Sequence, residues 1–164
     1  MMATRGGRLV AITALLFAAP AVGGAQYRPT SYGAFRIDAI AANGATEHVG
    51  AGLEIPLDAY VREGVYGEAG ATERDGGVVP SGRLDFLTRF LLDPYRQERW
   101  GFSLGGGLTV PLNESRNPTR PYVAVVLDFE GPRTGPVTPA VQLGLGGGAR
   151  LGLVLRANRR ADQR

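Results

Sequence analysis

The chain holds one histidine, His48, and no cysteine, so any histidine-dependent chemistry has a single residue to rest on and thiol chemistry has none. A histidine works as a base only with a nucleophile in hydrogen-bond reach, and its following neighbours Val49 and Gly50 supply none. The sequence therefore reads His48 as a loop-proximal residue at a strand start. Zinc would need further Cys, His or carboxylate ligands at suitable spacing, and these do not accompany it. Glu54, Glu68, Asp85 and Asp128 could in principle form an acid/base pair. Each has arginines available on the same side of the chain's alternating pattern, and carboxylates in such company read as structural ion-pair partners. The glycine clusters LGGGL (104–108) and LGLGGGARLG (143–152) lack the Gly-Lys-Ser/Thr ending of a phosphate loop and lead into no helix. On these grounds the sequence assigns no catalytic, metal-binding or cofactor-binding residue and implies no enzyme activity.

The charges still need elements to position them. Residues 83–92, RLDFLTRFLL, admit two. As a helix, Leu84, Phe86, Leu87, Phe90 and Leu91 gather on one face while Asp85 and Arg89 pair four apart on the other. As a strand, Leu84, Phe86, Thr88, Phe90 and Leu92 line one side, and Arg83, Asp85, Leu87, Arg89 and Leu91 the other. The segment's own periodicity leans to the helix; the rest of the chain decides for the strand. Turn chemistry recurs at 42–46 (ANGAT), 56–58 (PLD), 73–77 (ERDGG), 93–98 (DPYRQE), 113–119 (NESRNPT), 131–136 (GPRTGP) and 146–148 (GGG). These turns separate segments of about ten residues, the length of a tilted strand crossing a bilayer.

Alternation repeats from segment to segment. Phe35, Ile37, Ala39 and Ala41 flank Arg36 and Asp38; Val49, Ala51, Leu53 and Ile55 oppose His48, Gly50, Gly52 and Glu54. The third segment is the weakest, with Val61, Val65 and Ala69 sharing a side with Glu63, and Arg62 and Glu68 opposite. Trp100 to Val110 alternates large apolar residues with Gly, Ser and Thr; Val123, Val125, Leu127 and Phe129 oppose Tyr122 and Asp128. Val141, Leu143 and Leu145 oppose Gln142 and glycines, and Leu151, Leu153 and Leu155 oppose Arg150, Gly152 and Arg156. One side is thus apolar throughout, and the other is small or charged. That composition suits the inside of a narrow closed barrel, where glycine makes room for charged side chains. An arginine facing lipid near the midplane costs about 2–4 kcal/mol, so the charges belong inward. The expected interior network is Arg36, Asp38, Glu54, Arg62, Glu68, Arg83, Asp85, Arg89, Asp128, Arg150 and Arg156, with Glu68 first among the partners of Arg83 and Arg89. Tyr32, Tyr60, Tyr95, Trp100, Phe102, Tyr122 and Phe129 fall near strand ends, where interfacial girdles belong.

The N-terminus sets the compartment. MMATRGGR carries two positive charges, LVAITALLFAA is an apolar run, and PAVGGA ends in small residues, so residues 1–25 read as a signal peptide cleaved near Ala25. A spanning helix needs about 20 apolar residues, and Pro20 closes this run short of that. The remainder is one domain, a barrel over 26–157 with a basic tail at 158–164. Of 18 Lys+Arg against 15 Asp+Glu, Arg5 and Arg8 belong to the leader, so the mature chain is about neutral and its basic residues are scattered. Nucleic acid is not an expected partner. Every basic residue is arginine, which forms bidentate pairs with carboxylates and tolerates partial desolvation. A single membrane helix over 137–155 is poor, interrupted by Pro139, a glycine triplet and Arg150.

Taken together, these segments resemble a small bacterial outer-membrane β-barrel of the OmpA-like transmembrane type. The resemblance implies an all-β, eight-stranded antiparallel up-and-down transmembrane barrel, with its N-terminus periplasmic and the loops at 42–47, 72–80, 112–120 and 146–149 outside. Outer-membrane lipid and the barrel-assembly machinery are the implied partners of what is expected to be a monomer. The last strand of such proteins carries an assembly signal, and RLGLVLRA supplies Arg150, Gly152, Leu155 and Ala157 at its places. Ala157 stands where an aromatic is usual, and the chain continues through NRRADQR. Lipid A deacylases share this barrel shape and use a His, a Ser two residues on and a Glu; Gly50 stands where that Ser would be. The expected role is structural, in membrane integrity or loop-borne contacts, without a substantial pore. The reading from another class is a soluble exported lipocalin-like barrel holding a small apolar ligand, which needs the apolar side turned inward.

Overall fold

A computed structural model of the chain describes residues 31–42, 44–74, 76–95, 99–112 and 120–157. The signal peptide and basic tail read from the sequence, and the 113–119 turn, lie outside these. Eight strands close into an up-and-down antiparallel barrel: β1 (Tyr32–Ala41), β2 (Ala45–Pro56), β3 (Val61–Arg74), β4 (Gly77–Leu91), β5 (Gly101–Leu112), β6 (Tyr122–Glu130), β7 (Val137–Leu145) and β8 (Ala149–Ala157). β8 pairs back onto β1 from Ala34↔Arg156 to Ala41↔Ala149, which leaves the sheet without an edge.

The register fixes the shape. Following paired residues from Ile55 on β2 through Glu63, Thr88, Gly106, Val125, Leu145, Ala149 and Ala41 returns to β2 at Ala45, a stagger of 55 − 45 = 10 residues. With strands about 4.8 Å apart rising about 3.3 Å per residue, that stagger over eight strands tilts them by about 40° and sets a backbone radius of about 8 Å. Such a tube has room for side chains and little else. A ten-residue strand at this tilt climbs about 25 Å.

Residues 83–91 of RLDFLTRFLL resolve as strand. Within β4, Arg83, Asp85, Leu87, Arg89 and Leu91 are buried inside while Phe86 and Phe90 are exposed outside. A helix there would have left β3 and β5 unpaired, whereas β4 forms ladders with both. Strand pairing over the whole wall therefore outweighs the local helical periodicity.

Two of the four expected outer loops are shorter, while most of the one expected over 112–120 lies outside the described residues. Strand resumes at Ala45, so only 42–44 connects β1 to β2, and β3 and β4 pair up to Arg74↔Gly77 where a loop over 72–80 was expected. Their turn uses Gly76 at φ 75°, left-handed backbone that glycine adopts without strain. Pro80 pairs only with β3, because β5 joins β4 from Gly82 onward. Pro56, Pro111 and Pro139 likewise have a partner on one side only. All four prolines within strands occupy places where a missing N–H interrupts no second ladder. β7 begins at Val137, earlier than the alternation around 141 suggests, for the same reason.

The barrel is polar inside and apolar outside. Phe35, Ile37, Leu53, Phe86, Leu104, Leu127, Leu143 and Leu153 are exposed on the outer wall, while six arginines and six carboxylates are buried or nearly so within. Among the described strand residues only Glu47, Glu63 and Glu73 carry charge on the outer face, all on β2 and β3. Outward aromatics gather toward the rim that holds both ends of the barrel: Tyr60, Phe90, Tyr95, Trp100, Phe102 and Phe129. Phe102 and Phe129 stack edge-to-face at 4.1 Å, and Tyr60 and Tyr95 at 6.2 Å. Tyr32 and Tyr122, expected in the girdles, share the inward side of their strands; the Tyr32 hydroxyl donates to Glu54 Oε2 at 2.9 Å.

Candidate functional site

Eleven residues expected to share an interior do so, in two groups stacked along the axis. Toward the hairpin rim, Arg36, Arg83 and Arg150 face Asp38, Glu68 and Asp85. Arg150 Nη2 donates to Asp85 Oδ2 at 2.5 Å and Asp38 Oδ2 at 2.8 Å. Arg83 Nη2 donates to Glu68 Oε2 at 2.5 Å and also reaches Asp38 Oδ2. Arg36 lies 3.0 Å from Asp38, 3.3 Å from Asp85 and 3.4 Å from Glu68. Three positive charges meet three negative ones, and the Thr109 hydroxyl takes the remaining oxygen of Asp85 at 2.7 Å.

Toward the terminal rim, Arg89 and Arg156 face Glu54 and Asp128, with Arg62 and Glu130 alongside. Arg89 Nη1 donates to Asp128 Oδ2 at 2.7 Å and Nη2 to Glu54 Oε1; Arg156 Nε donates to Glu54 Oε1 at 2.8 Å and Nη2 to Asp128. Arg62 Nη1 donates to Glu130 Oε1 at 3.0 Å, and Arg156 Nη1 stands 3.4 Å from the same oxygen. Gln142 joins the groups, accepting from Arg36 Nη2 and donating to Asp128 Oδ1, each at 2.5 Å. Tyr66 fills the space between them. Its hydroxyl donates to Glu54 Oε1 at 2.5 Å, with the Arg36 guanidinium 4.6 Å and that of Arg89 5.6 Å from its ring centre.

Neutralising each group locally is what permits burial, since an unpaired ion in a low-dielectric interior costs several kcal/mol. Arginine suits the task because one guanidinium reaches two or three carboxylates at once. Glycines paired with these side chains on the neighbouring strand supply the volume. A Cβ at Gly50 would meet Glu68 Cγ at 2.5 Å, at Gly52 Tyr66 Cδ1 at 2.5 Å, and at Gly105 Arg89 Cγ at 2.6 Å. A Cβ at Gly152 would strike Asp38 Oδ1. Gly105 and Gly152 belong to the glycine clusters that resembled a phosphate loop in composition, and there they are recesses for Arg89 and Asp38.

One expected pairing divides. Glu68 takes Arg83, its cross-strand partner, but Arg89 lies six residues along β4 and belongs to Glu54 and Asp128 in the other group. Sequence reasoning put Gln142 and Thr109 on the inward side without giving them a part in the network, and it passed over Glu130 and Tyr66. Glu130 lies two residues from Asp128 and Tyr66 two from Glu68 on the same strands, so alternation could have found them. Of the assembly-signal residues, Arg150 is inside the network, Gly152 lies under Asp38, and Leu155 and Ala157 are exposed on the outer side of β8. His48 is buried at the hairpin end, with Nε2 3.0 Å from Ser81 Oγ. Among the described residues no cluster of His, Cys, Asp and Glu could hold a metal ion. No family model matches the chain, and no curated protein matches it.

Proposed function

We propose that this chain is an exported outer-membrane protein that spans the bilayer as a filled barrel, with a structural role in membrane integrity or in contacts borne by its hairpins. The observation that carries this is the inverted distribution of polarity: apolar side chains cover the outer wall on every strand, and the charges of the described strands are inside except Glu47, Glu63 and Glu73. In water, such a wall would be an exposed apolar surface far larger than soluble monomers carry. In a bilayer it is the matching surface, and a climb of about 25 Å fits the apolar band of outer-membrane barrels. The aromatic collar at the terminal rim supports an interface there. The ion-paired lumen argues against a substantial pore, and closure into a complete barrel fits a monomer surrounded by lipid. Arg150, Gly152, Leu155 and Ala157 would address the last strand to the assembly machinery, and residues 1–25 would direct export.

The lipocalin-like reading needs an apolar cavity, and the interior groups around Arg36 and Arg89 are its opposite. Fractionation tests the proposal. Expressed with its leader, the chain should sediment with outer membranes, resist extraction without detergent, and migrate differently on a gel before and after boiling. Release into a detergent-free periplasmic extract would refute it.

A further inference from the structure

His48 and Ser81 are 33 residues apart and sit on strands that are not neighbours, yet their side chains meet. The register explains it: His48 pairs with Gly70, and Gly70 with Ser81, so a glycine stands between them on the same inward face. A Cβ at Gly70 would press on His48 Cα at 2.8 Å. The contact joins Ser81 Oγ to Nε2, leaving Nδ1 free for a second group, the arrangement in which an imidazole serves a serine nucleophile as base. His48 is buried to 6 % exposure while Ser81 is half-buried at the hairpin rim, so the hydroxyl is the accessible member.

Three buried side chains around the pair carry polar atoms without a hydrogen-bond partner: His48 Nδ1, Asp38 Oδ1, and Arg83 Nε and Nη1. Asp38 is the residue directly opposite His48 on β1, and Arg83 follows Ser81 by two on the same face of β4. Buried donors and acceptors are normally satisfied; other unpartnered atoms lie on Arg36, Arg89, Ser103, Arg150 and Arg156, and those on His48, Asp38 and Arg83 are the ones beside a serine paired to an imidazole.

We propose that Ser81 is a nucleophile activated by His48, acting on short-chain carboxylic esters that enter from the hairpin rim. Ser81 Oγ bonds to the ester carbonyl carbon as its proton passes to His48 Nε2. Arg83 N–H groups face the oxyanion that develops. Collapse breaks the carbon–oxygen bond to the alcohol, which leaves with the proton from His48. Water, giving a proton to His48, then attacks the acyl-serine; the carboxylic acid departs and Ser81 Oγ recovers its proton. Asp38 Oδ2 stays with Arg83 and Arg150 while Oδ1 faces Gly152, so His48 acts without a carboxylate partner. The ion-paired floor of Arg83, Glu68 and Asp38 limits the acyl group to a short chain.

The test uses the full chain refolded in detergent, with folding verified by the gel shift on boiling, and a fluorophosphonate probe whose fluoride leaves as Oγ bonds to phosphorus. Intact folded protein should acquire one adduct on the peptide containing Ser81 and hydrolyse p-nitrophenyl acetate above the Ser81→Ala background. Ser81→Ala should abolish both, and His48→Gln should slow labelling on the order of 100-fold, the scale of general-base assistance. A hydrogen bond that only holds the rim together would not speed labelling. Folded wild type that labels and turns over no faster than Ser81→Ala overturns the proposal, as does unchanged labelling in folded His48→Gln. Should His48→Gln not refold, the comparison of wild type with Ser81→Ala decides alone.

Discussion

Glu54→Ala is the sharpest perturbation of the filled interior. Glu54 is wholly buried, and its two oxygens serve four donors: Arg89 Nη2, Arg156 Nε at 2.8 Å, Tyr66 Oη at 2.5 Å and Tyr32 Oη at 2.9 Å. Its removal takes the terminal-side group from neutral to one net positive charge. Arg89 keeps Asp128 at 2.7 Å, and Arg156 keeps Asp128 and stands 3.4 Å from Glu130, so neither guanidinium is stranded. Breaking a buried pair costs about 3–5 kcal/mol, and the surviving partners place this case near 3. With a urea slope of about 1–3 kcal/mol per molar, the unfolding midpoint should fall by roughly 1–3 M. The assay is equilibrium urea unfolding in phospholipid vesicles, read by Trp100, the only tryptophan, which sits exposed beside β5 at the aromatic rim. Glu54→Gln retains an acceptor for the tyrosines and should lose about 1.5 kcal/mol, the lower end for hydrogen bonds to a charged group. A loss below about 1 kcal/mol for Glu54→Ala, the scale of solvated surface pairs, would refute the reasoning. It would mean that the lumen holds bulk water.

Four other substitutions read different parts of the structure by the same unfolding assay. Leu127→Arg, outward in the middle of β6, should cost about 2–4 kcal/mol in vesicles, whereas Val78→Arg at the β3–β4 tip should cost close to nothing; equal effects would contradict a bilayer around the wall. Gly105→Ala places a Cβ against the Thr88 carbonyl oxygen and 2.6 Å from Arg89 Cγ and should lose about 1–3 kcal/mol by shifting that strand and side chain, and a neutral result would mean the recess is slack. Glu63 is the outward carboxylate nearest the terminal rim, held by the Thr88 hydroxyl at 2.7 Å, so Glu63→Leu should raise stability in vesicles and leave the midpoint lower or unchanged only if that face meets water.

The strands were legible because alternation is a property of each segment alone. RLDFLTRFLL was ambiguous by itself and became a strand once its neighbours required partners, so the deciding information lay outside the ten residues. Which side each charge takes was legible too, down to Arg83, Asp85 and Arg89. Which charges meet was not. Arg36 and Gln142 are 106 residues apart, and Arg150 and Asp38 112 apart; they are brought together by the ten-residue stagger, which no single segment encodes. The same gap hid the meeting of His48 with Ser81, since adjacency in sequence was the wrong place to look for a nucleophile. The long β3–β4 hairpin was missed because ERDGG at 73–77 signals a turn but not how far the flanking strands pair, which is up to Arg74↔Gly77.

The closing seam between β1 and β8 is held twice. Eight residue pairs join the two strands through the backbone, and behind them Arg150 and Arg156 from β8 reach carboxylates on β1 to β4 and β6. Peeling β8 away would carry two guanidiniums out of their pairs into whatever surrounds the wall, at a moment when the backbone bonds are already lost. Sideways parting of the wall is thereby made all-or-none: the last strand to arrive completes the electrostatics of the lumen, and no partly unzipped form keeps its charges matched.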